Sequence, residues 1–204
     1  MLVFSLTPEY YAAYVLYNHT MLVFTNVFFI LLLLGLCAWM LDQFQTLVTM
    51  EAPWVKTPNE VLDQIAEKIT IKPGDIVYDL GCGDAQVLIQ LAKKNPNATF
   101  IGVEKLNYVC ALAWLKIKKA GLHNVIIKKG DLYKLSIKDA THIYLWIYPQ
   151  MVNKILPKLE RELTQGVTVY SMDFPFHGKD PVAVYDLSGV KNKSYARKLF
   201  EYRF

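Results

Sequence analysis

The residues able to do chemistry in this chain gather first in the stretch VYDLGCGDA, Val77 to Ala85. Two glycines, Gly81 and Gly83, follow an apolar run, with Asp79 just before them and Asp84 just after. Glycine tolerates positive φ and lets a ligand approach the backbone closely. The next acidic residue at a strand end is Glu104, 21 positions after Gly83. A carboxylate there can accept both hydroxyls of a ribose. A dinucleotide fingerprint, G-x-G-x-x-G/A, needs a small residue at its sixth position, and Gln86 stands there instead. A pyrophosphate would be repelled by Asp79 and Asp84, whereas a cationic nucleoside without phosphate would not. S-adenosylmethionine carries a sulfonium, an ammonium and a ribose. The charges therefore select it over NAD, FAD or ATP.

Such a loop needs a sheet to hold it, and the surrounding pattern supplies one. Asp75–Leu80 reads as a buried strand and Ala85–Lys94 as a helix; Thr99–Val103 is a second strand, followed by a helix from Asn107 to Ala120. Short strands follow at Asn124–Ile127, THIYLWI and GVTVYSMD, with a helix from Pro149 to Leu163 before the last of these. PVAVYDL and YARKLFEYRF are strand-like, with no helix between them. The expected fold is α/β: a Rossmann-like, doubly wound, mostly parallel sheet with a terminal antiparallel hairpin. Before it, KTPNEVLDQIAEKI has Thr57 and Glu60 at capping-box spacing, with Pro58 at the first helical position.

The N-terminal part is of another kind. From Tyr10 to Leu41 there is no Asp, Glu, Lys or Arg, and Met21 to Leu41 is almost wholly apolar. Twenty-one helical residues cover about 31 Å, matching the roughly 30 Å hydrocarbon core of a bilayer. This run explains a mean hydropathy of +0.21. One transmembrane helix over about 21–41 is expected, within an anchor of residues 1–50 that precedes a domain of residues 51–204. Thr7 and Pro8 mark a helix start upstream, and Tyr10, Tyr14 and Tyr17 recur as an interfacial belt or as one more face of a long helix. A secretory signal fits poorly, because residues 1–20 hold no Lys or Arg.

All 22 Lys and Arg follow the span, so the positive-inside bias puts the C-terminal part on the cytoplasmic side. Residues 51–204 hold 22 basic and 16 acidic side chains, a formal +6 that suits anionic headgroups or a solvated surface. Cys37, Cys82 and Cys110 form neither a C-x-x-C motif nor a His cluster, so no disulfide framework and no metal are expected.

The strand–G-x-G turn with its acidic partners resembles the seven-strand, Rossmann-like (class I) methyltransferases. That resemblance assigns the methionine moiety to Asp79, Gly81 and Gly83, the ribose to Glu104 and the adenine amine to Asp131. Asp84, just after the loop, joins the expected cofactor site. Ala85 stands where the group often has a third glycine. Three pieces narrow the resemblance: PWVKTP (Pro53–Pro58), DLYKL (Asp131–Leu135) and MDFPFH (Met172–His177). Together they are similar to the membrane-anchored lysine methyltransferases that modify the adenine nucleotide translocase and the ATP synthase c-subunit. The resemblance covers about residues 50–180 and implies a lysine on a membrane protein as acceptor. No Arg-rich presequence is seen, so a bacterial or archaeal membrane is expected rather than a mitochondrial address.

A lysine must lose its proton before it attacks a methyl group. The walls expected to favour the neutral amine are Trp146, Tyr148, Phe174 and Phe176, at strand ends. Each is also a natural core residue. Asp173 either accepts a proton and orients the amine, or caps a loop. Tyr148–Pro149 stands where amino-methylating enzymes of nucleic acids carry an N-P-P-Y type motif, but Ile147 replaces its Asn. No nucleic-acid partner is therefore expected. Two other readings stay open: methylation of a lipid-soluble small molecule such as a quinone or lipid, and a non-catalytic membrane adaptor.

Overall fold

A computed structural model describes residues 8–48, 55–187 and 197–204, with side chains undescribed over part of 42–48. The chain divides into two compact units, Met1–Met50 and Glu51–Phe204. The described residues of the first form a single helix, α1, Pro8–Val48. The tyrosines of residues 10–17 therefore continue the same helix as the apolar run, and no break separates them. Thr7, expected to cap this helix, and Pro53 and Trp54 of PWVKTP lie outside the described residues.

In the second unit α2 (Asn59–Lys68) leads into β1 (Ile76–Leu80), α3 (Gln86–Lys94), β2 (Thr99–Glu104), α4 (Asn107–Lys119) and β3 (Val125–Lys129). Then follow β4 (His142–Leu145), α5 (Pro149–Glu162), β5 (Thr168–Met172), β6 (Ala183–Asp186) and β7 (Lys198–Arg203). The seven strands form one sheet in the order β3-β2-β1-β4-β5-β7-β6. Neighbours from β3 to β5 are parallel, and β7 runs antiparallel to both β5 and β6. The expected hairpin is thus present, with its second strand inserted next to β5.

Alternation along the strands builds two cores. Val77, Phe100, Val125, Tyr144 and Met172 pack with α2, α3 and α4 through Ile65, Leu88 and Ile117. Tyr78, Leu80, Ile101, Ile143 and Val169 pack on the other face with Val152, Ile155 and Leu159 of α5. Both faces are covered, as a mostly parallel sheet requires.

The expected capping box is corrected. Pro58 itself is the N-cap of α2, with extended backbone (φ −61°, ψ 137°) and no side-chain capping bond. The helix starts one residue later than the motif needs, so Thr57 falls before the cap. Its side chain is instead buried and faces a cavity at the carboxyl edge of the sheet.

Candidate functional site

The strand order reverses between β1 and β4, and in open α/β sheets ligands bind at that point, beyond the carboxyl ends of the strands. A cavity of about 320 Å³ lies there. It is lined from the ends of all five parallel strands: by Gly81–Asp84 after β1, Glu104–Leu106 after β2 and Gly130–Tyr133 after β3. Trp146–Tyr148 after β4 and Phe174 after β5 line it as well.

The glycine loop hangs on the end of β2. Gly81 and Cys82 both donate their N–H groups to the Val103 carbonyl, at 2.9 and 3.0 Å. Gly81 has φ 89°, and a Cβ there would meet Ile147 Cγ2 at 3.0 Å, so both conformation and space call for glycine. Ala85 also lies in the left-handed region, at φ 62°. Its small size is therefore only half of the reason that glycine is common there; the backbone conformation is the other half.

Glu104 ties three segments together. Its Oε2 accepts the Gly83 N–H at 3.1 Å, and its Oε1 accepts the N–H groups of Lys105 and Leu106 at 2.8 and 2.9 Å. Its carbonyl accepts the Gly130 N–H at 2.9 Å, which brings Asp131 to the cavity. Asp131 Oδ1 accepts the Tyr133 N–H at 2.8 Å.

The electrostatics of the loop are dominated by Asp79 and Asp84, each only 3% exposed. Asp84 is ion-paired with Lys116 of α4. No described Lys or Arg pairs with Asp79. Burial holds its carboxyl well above the ordinary carboxylate range, and the charges of Glu104 and Asp84 push it further the same way. Facing it across the β1–β4 ladder is Tyr144, its register partner. Tyr144 is one of the cavity-lining residues, and its hydroxyl is buried with no hydrogen-bond partner. Gln86 also lines the cavity, and its Oε1 is buried and unpartnered too. Buried polar atoms are normally satisfied, and each exception needs an explanation.

These observations fit S-adenosylmethionine. An unpaired buried carboxylate wants a cation, and the orphaned hydroxyl and amide oxygen want polar partners that the protein does not supply. The acidic lining disfavours phosphate. No cluster of three or more potential metal ligands occurs among the described residues.

At the β4–β5 end, Trp146, Tyr148 and Phe174 reach the cavity, together with Thr57 and Val55. Phe176 does not. It is 3% exposed and packs edge-on against Tyr202 at 4.8 Å between ring centroids, in the core shared with α5. Asp173 is not among the cavity-lining residues either. Its Oδ1 accepts the N–H groups of Arg197 and Lys198, at 2.7 and 3.3 Å. Its own N–H donates to the Lys198 carbonyl at 2.8 Å. With φ 63° at Asp173, the Phe174 N–H reaches back to the Met172 carbonyl at 2.8 Å, forming a γ-turn of the strained hand. Ser171 Oγ donates to the Phe174 carbonyl at 2.5 Å. Asp173 thus staples the end of β5 to the start of β7 and aims Phe174 at the cavity. Tyr144 and Gln86 belong to no motif in the sequence, whereas the resemblance already puts KTP, and with it Thr57, near the cofactor rim. For Tyr144 a signal existed: it shares strand parity with Trp146.

The seven-stranded order and this cavity define a Rossmann-like methyltransferase dependent on S-adenosylmethionine, whose methyl group is electrophilic because it sits on a sulfonium. Comparison with known proteins gives the same class. The chain is similar to an RNA methyltransferase from Salinibacter ruber solved with S-adenosyl-L-homocysteine. The TM-score is 0.66 at 29% identity, covering 73% of this chain and 93% of that one. Residues 79–183 match the family model of the ANTKMT methyltransferase domain, and the chain belongs to that family. It is 34% identical to a protein-lysine N-methyltransferase of Saccharolobus islandicus (strain REY15A), over 65% of this chain and 83% of that protein. It is 28% identical to the adenine nucleotide translocase lysine N-methyltransferase of Mus musculus, over 66% of this chain and 58% of that longer protein.

Proposed function

We propose that this chain is a protein-lysine N-methyltransferase acting on a membrane protein, anchored by α1 with residues 51–204 on the cytoplasmic side. The observation that carries the reading is the joining, in one cavity, of an acidic cofactor loop with an aromatic wall. Asp79, Gly81, Gly83, Asp84, Glu104 and Asp131 hold the cofactor. Asp79 acts as counter-charge to its cationic end, Glu104 takes the ribose, and Asp131 takes the adenine amine. Trp146, Tyr148 and Phe174 form the channel for the lysine. An amine among these rings loses hydration, which favours the neutral nucleophile, and the rings hold the methylated ammonium by cation–π contact. Methyl transfer is an in-line displacement, so positioning supplies most of the catalysis. The relatives named for lysine methylation, one of them for the adenine nucleotide translocase, support lysine as acceptor.

The membrane reading is supported by α1. Residues 8–41 have a mean hydropathy of 2.5 in their most apolar window, and none of that window is buried inside the protein. Thr20 and Thr25 return their hydroxyls to the carbonyls of Leu16 and Met21, both at 2.8 Å. In lipid, where water cannot satisfy a hydroxyl, that arrangement is the required one. Tethering raises the effective concentration of an acceptor in the same membrane.

The test is a transfer assay with methyl-labelled S-adenosylmethionine and native membranes. Label on lysine of a discrete membrane protein is expected. Glu104→Ala is expected to weaken cofactor binding by roughly 100-fold or more, since charge-assisted bonds to two hydroxyls are lost. Label recovered in the lipid extract would move the acceptor to a small molecule. Label in RNA would favour the activity for which the Salinibacter ruber protein is named.

A further inference from the structure

Helix α4 is apolar on two sides. Val109, Ala113 and Ile117 are buried, as the packing of a helix on a sheet demands. On its outer side Leu112, Trp114 and Leu115 are 38, 57 and 56% exposed. Packing needs one apolar stripe, and the outer face of such a helix is ordinarily polar. These apolar side chains, spread across the outer face, are therefore unused by folding.

Charge is concentrated in the same place. Residues 105–130, which build α4 and the edge strand β3, hold six lysines and no Asp or Glu. The rest of residues 51–204 balances at 16 basic and 16 acidic side chains. The whole +6 of the domain thus comes from this one segment. Lys105, Lys118, Lys119 and Lys129 are exposed, and the Lys118 ammonium lies 5.2 Å from the centroid of the Trp114 ring.

We propose that the outer face of α4 docks on the surface of an anionic bilayer. Trp114, Leu112 and Leu115 enter the boundary between headgroups and acyl chains, and Lys118 and Lys119 meet lipid phosphates. A tryptophan flanked by aliphatic and basic side chains is the composition of an interfacial helix. The aliphatic neighbours and the ammonium over the ring suit lipid better than the stacking platform a nucleic acid needs. This deepens the membrane reading above and rests on it in one respect: tethering by α1 makes a weak surface attraction sufficient. Leu106 lines the cavity and α4 begins at the next residue, so a docked α4 holds one rim of the site at the headgroups.

The test uses the full chain with vesicles of brominated phosphatidylcholine, with and without phosphatidylserine. The contribution of Trp114 is the emission difference between the wild type and Trp114→Phe, and that of Trp39, within α1, comes likewise from Trp39→Phe. Trp114 is expected to lose most of its emission with phosphatidylserine and little without it. Lys118→Glu with Lys119→Glu removes the loss while cofactor binding, which reports folding, stays unchanged. Equal Trp114 emission in both vesicle types overturns the proposal, and quenching of Trp39 in the same sample shows whether the anchor stands independently. The proposal also fails if transfer RNA without vesicles changes Trp114 emission as strongly as phosphatidylserine does. It fails too if that emission tracks protein concentration in detergent, the mark of a second copy covering the face.

Discussion

The two ends of the cavity are built on opposite principles. At the β1–β2 end the working groups are carboxylates held by backbone: Glu104 takes three N–H donors, and the loop itself hangs on Val103. At the β4–β5 end they are rings, and Asp173, a carboxylate beside them, joins β5 to β7. A cofactor of fixed shape and charge suits a rigid polar cradle. A flexible amine that must shed its proton suits an apolar wall. The difference predicts that substitutions at one end change cofactor affinity and at the other change transfer.

Asp79→Asn should separate them most sharply. Cofactor affinity is expected to fall roughly 10–100-fold, the loss of a charge-assisted contact, as read by calorimetry. The same change should raise the stability of the cofactor-free protein near neutral pH by about 1 kcal/mol or more in denaturant titration. The sign follows from the pKa of Asp79, which burial and the neighbouring carboxylates hold well above the ordinary carboxylate range. As pH rises past the ordinary carboxylate range, the unfolded chain releases this proton before the native one does, so the native state loses stability. A bound cation favours the charged carboxylate, so cofactor binding should release a proton. Calorimetry in buffers of different ionisation heat would detect it, and Asp79→Asn should abolish it. Unchanged affinity in this variant would break the counter-charge reading.

Trp146→Ala should lower kcat/KM for the lysine acceptor by about 10-fold through lost cation–π and desolvation effects, with cofactor affinity unchanged. A fall in cofactor affinity instead would show that the aromatic end is not separate. The smallest effect is expected for Phe176→Leu. This should cost about 1–2 kcal/mol of stability by equilibrium unfolding, with transfer per folded molecule unaffected, because the ring fills the core against Tyr202. Loss of transfer without loss of stability would return Phe176 to the acceptor wall.

Much of this is legible in the sequence. The β–α alternation, the hairpin end and the order of elements follow from periodicity; β1 to β6 lie within a residue or two of their expected bounds, and β7 begins at Lys198, three residues into the expected YARKLFEYRF. The acceptor end is less legible. Phe174 and Phe176 are two residues apart in one loop, and nothing local tells which ring turns to the cavity. The turn at Asp173 and the bond from Phe176 N–H to the Tyr202 hydroxyl, 3.1 Å long, decide it. Thr57 and Glu60 match a capping box by spacing alone, yet the ψ of Pro58 shifts the helix start by one residue.

By itself the sequence determined the class of fold, the long apolar helix that precedes it and a cofactor loop whose acidity excludes phosphate, because periodicity, composition and charge are local properties of the chain. Only the tertiary structure decided that Tyr144 stands opposite Asp79, that Asp173 binds β7 and that the lysines of 105–130 share one edge of the sheet. Those facts depend on the register between strands remote in sequence, which no single stretch of residues encodes.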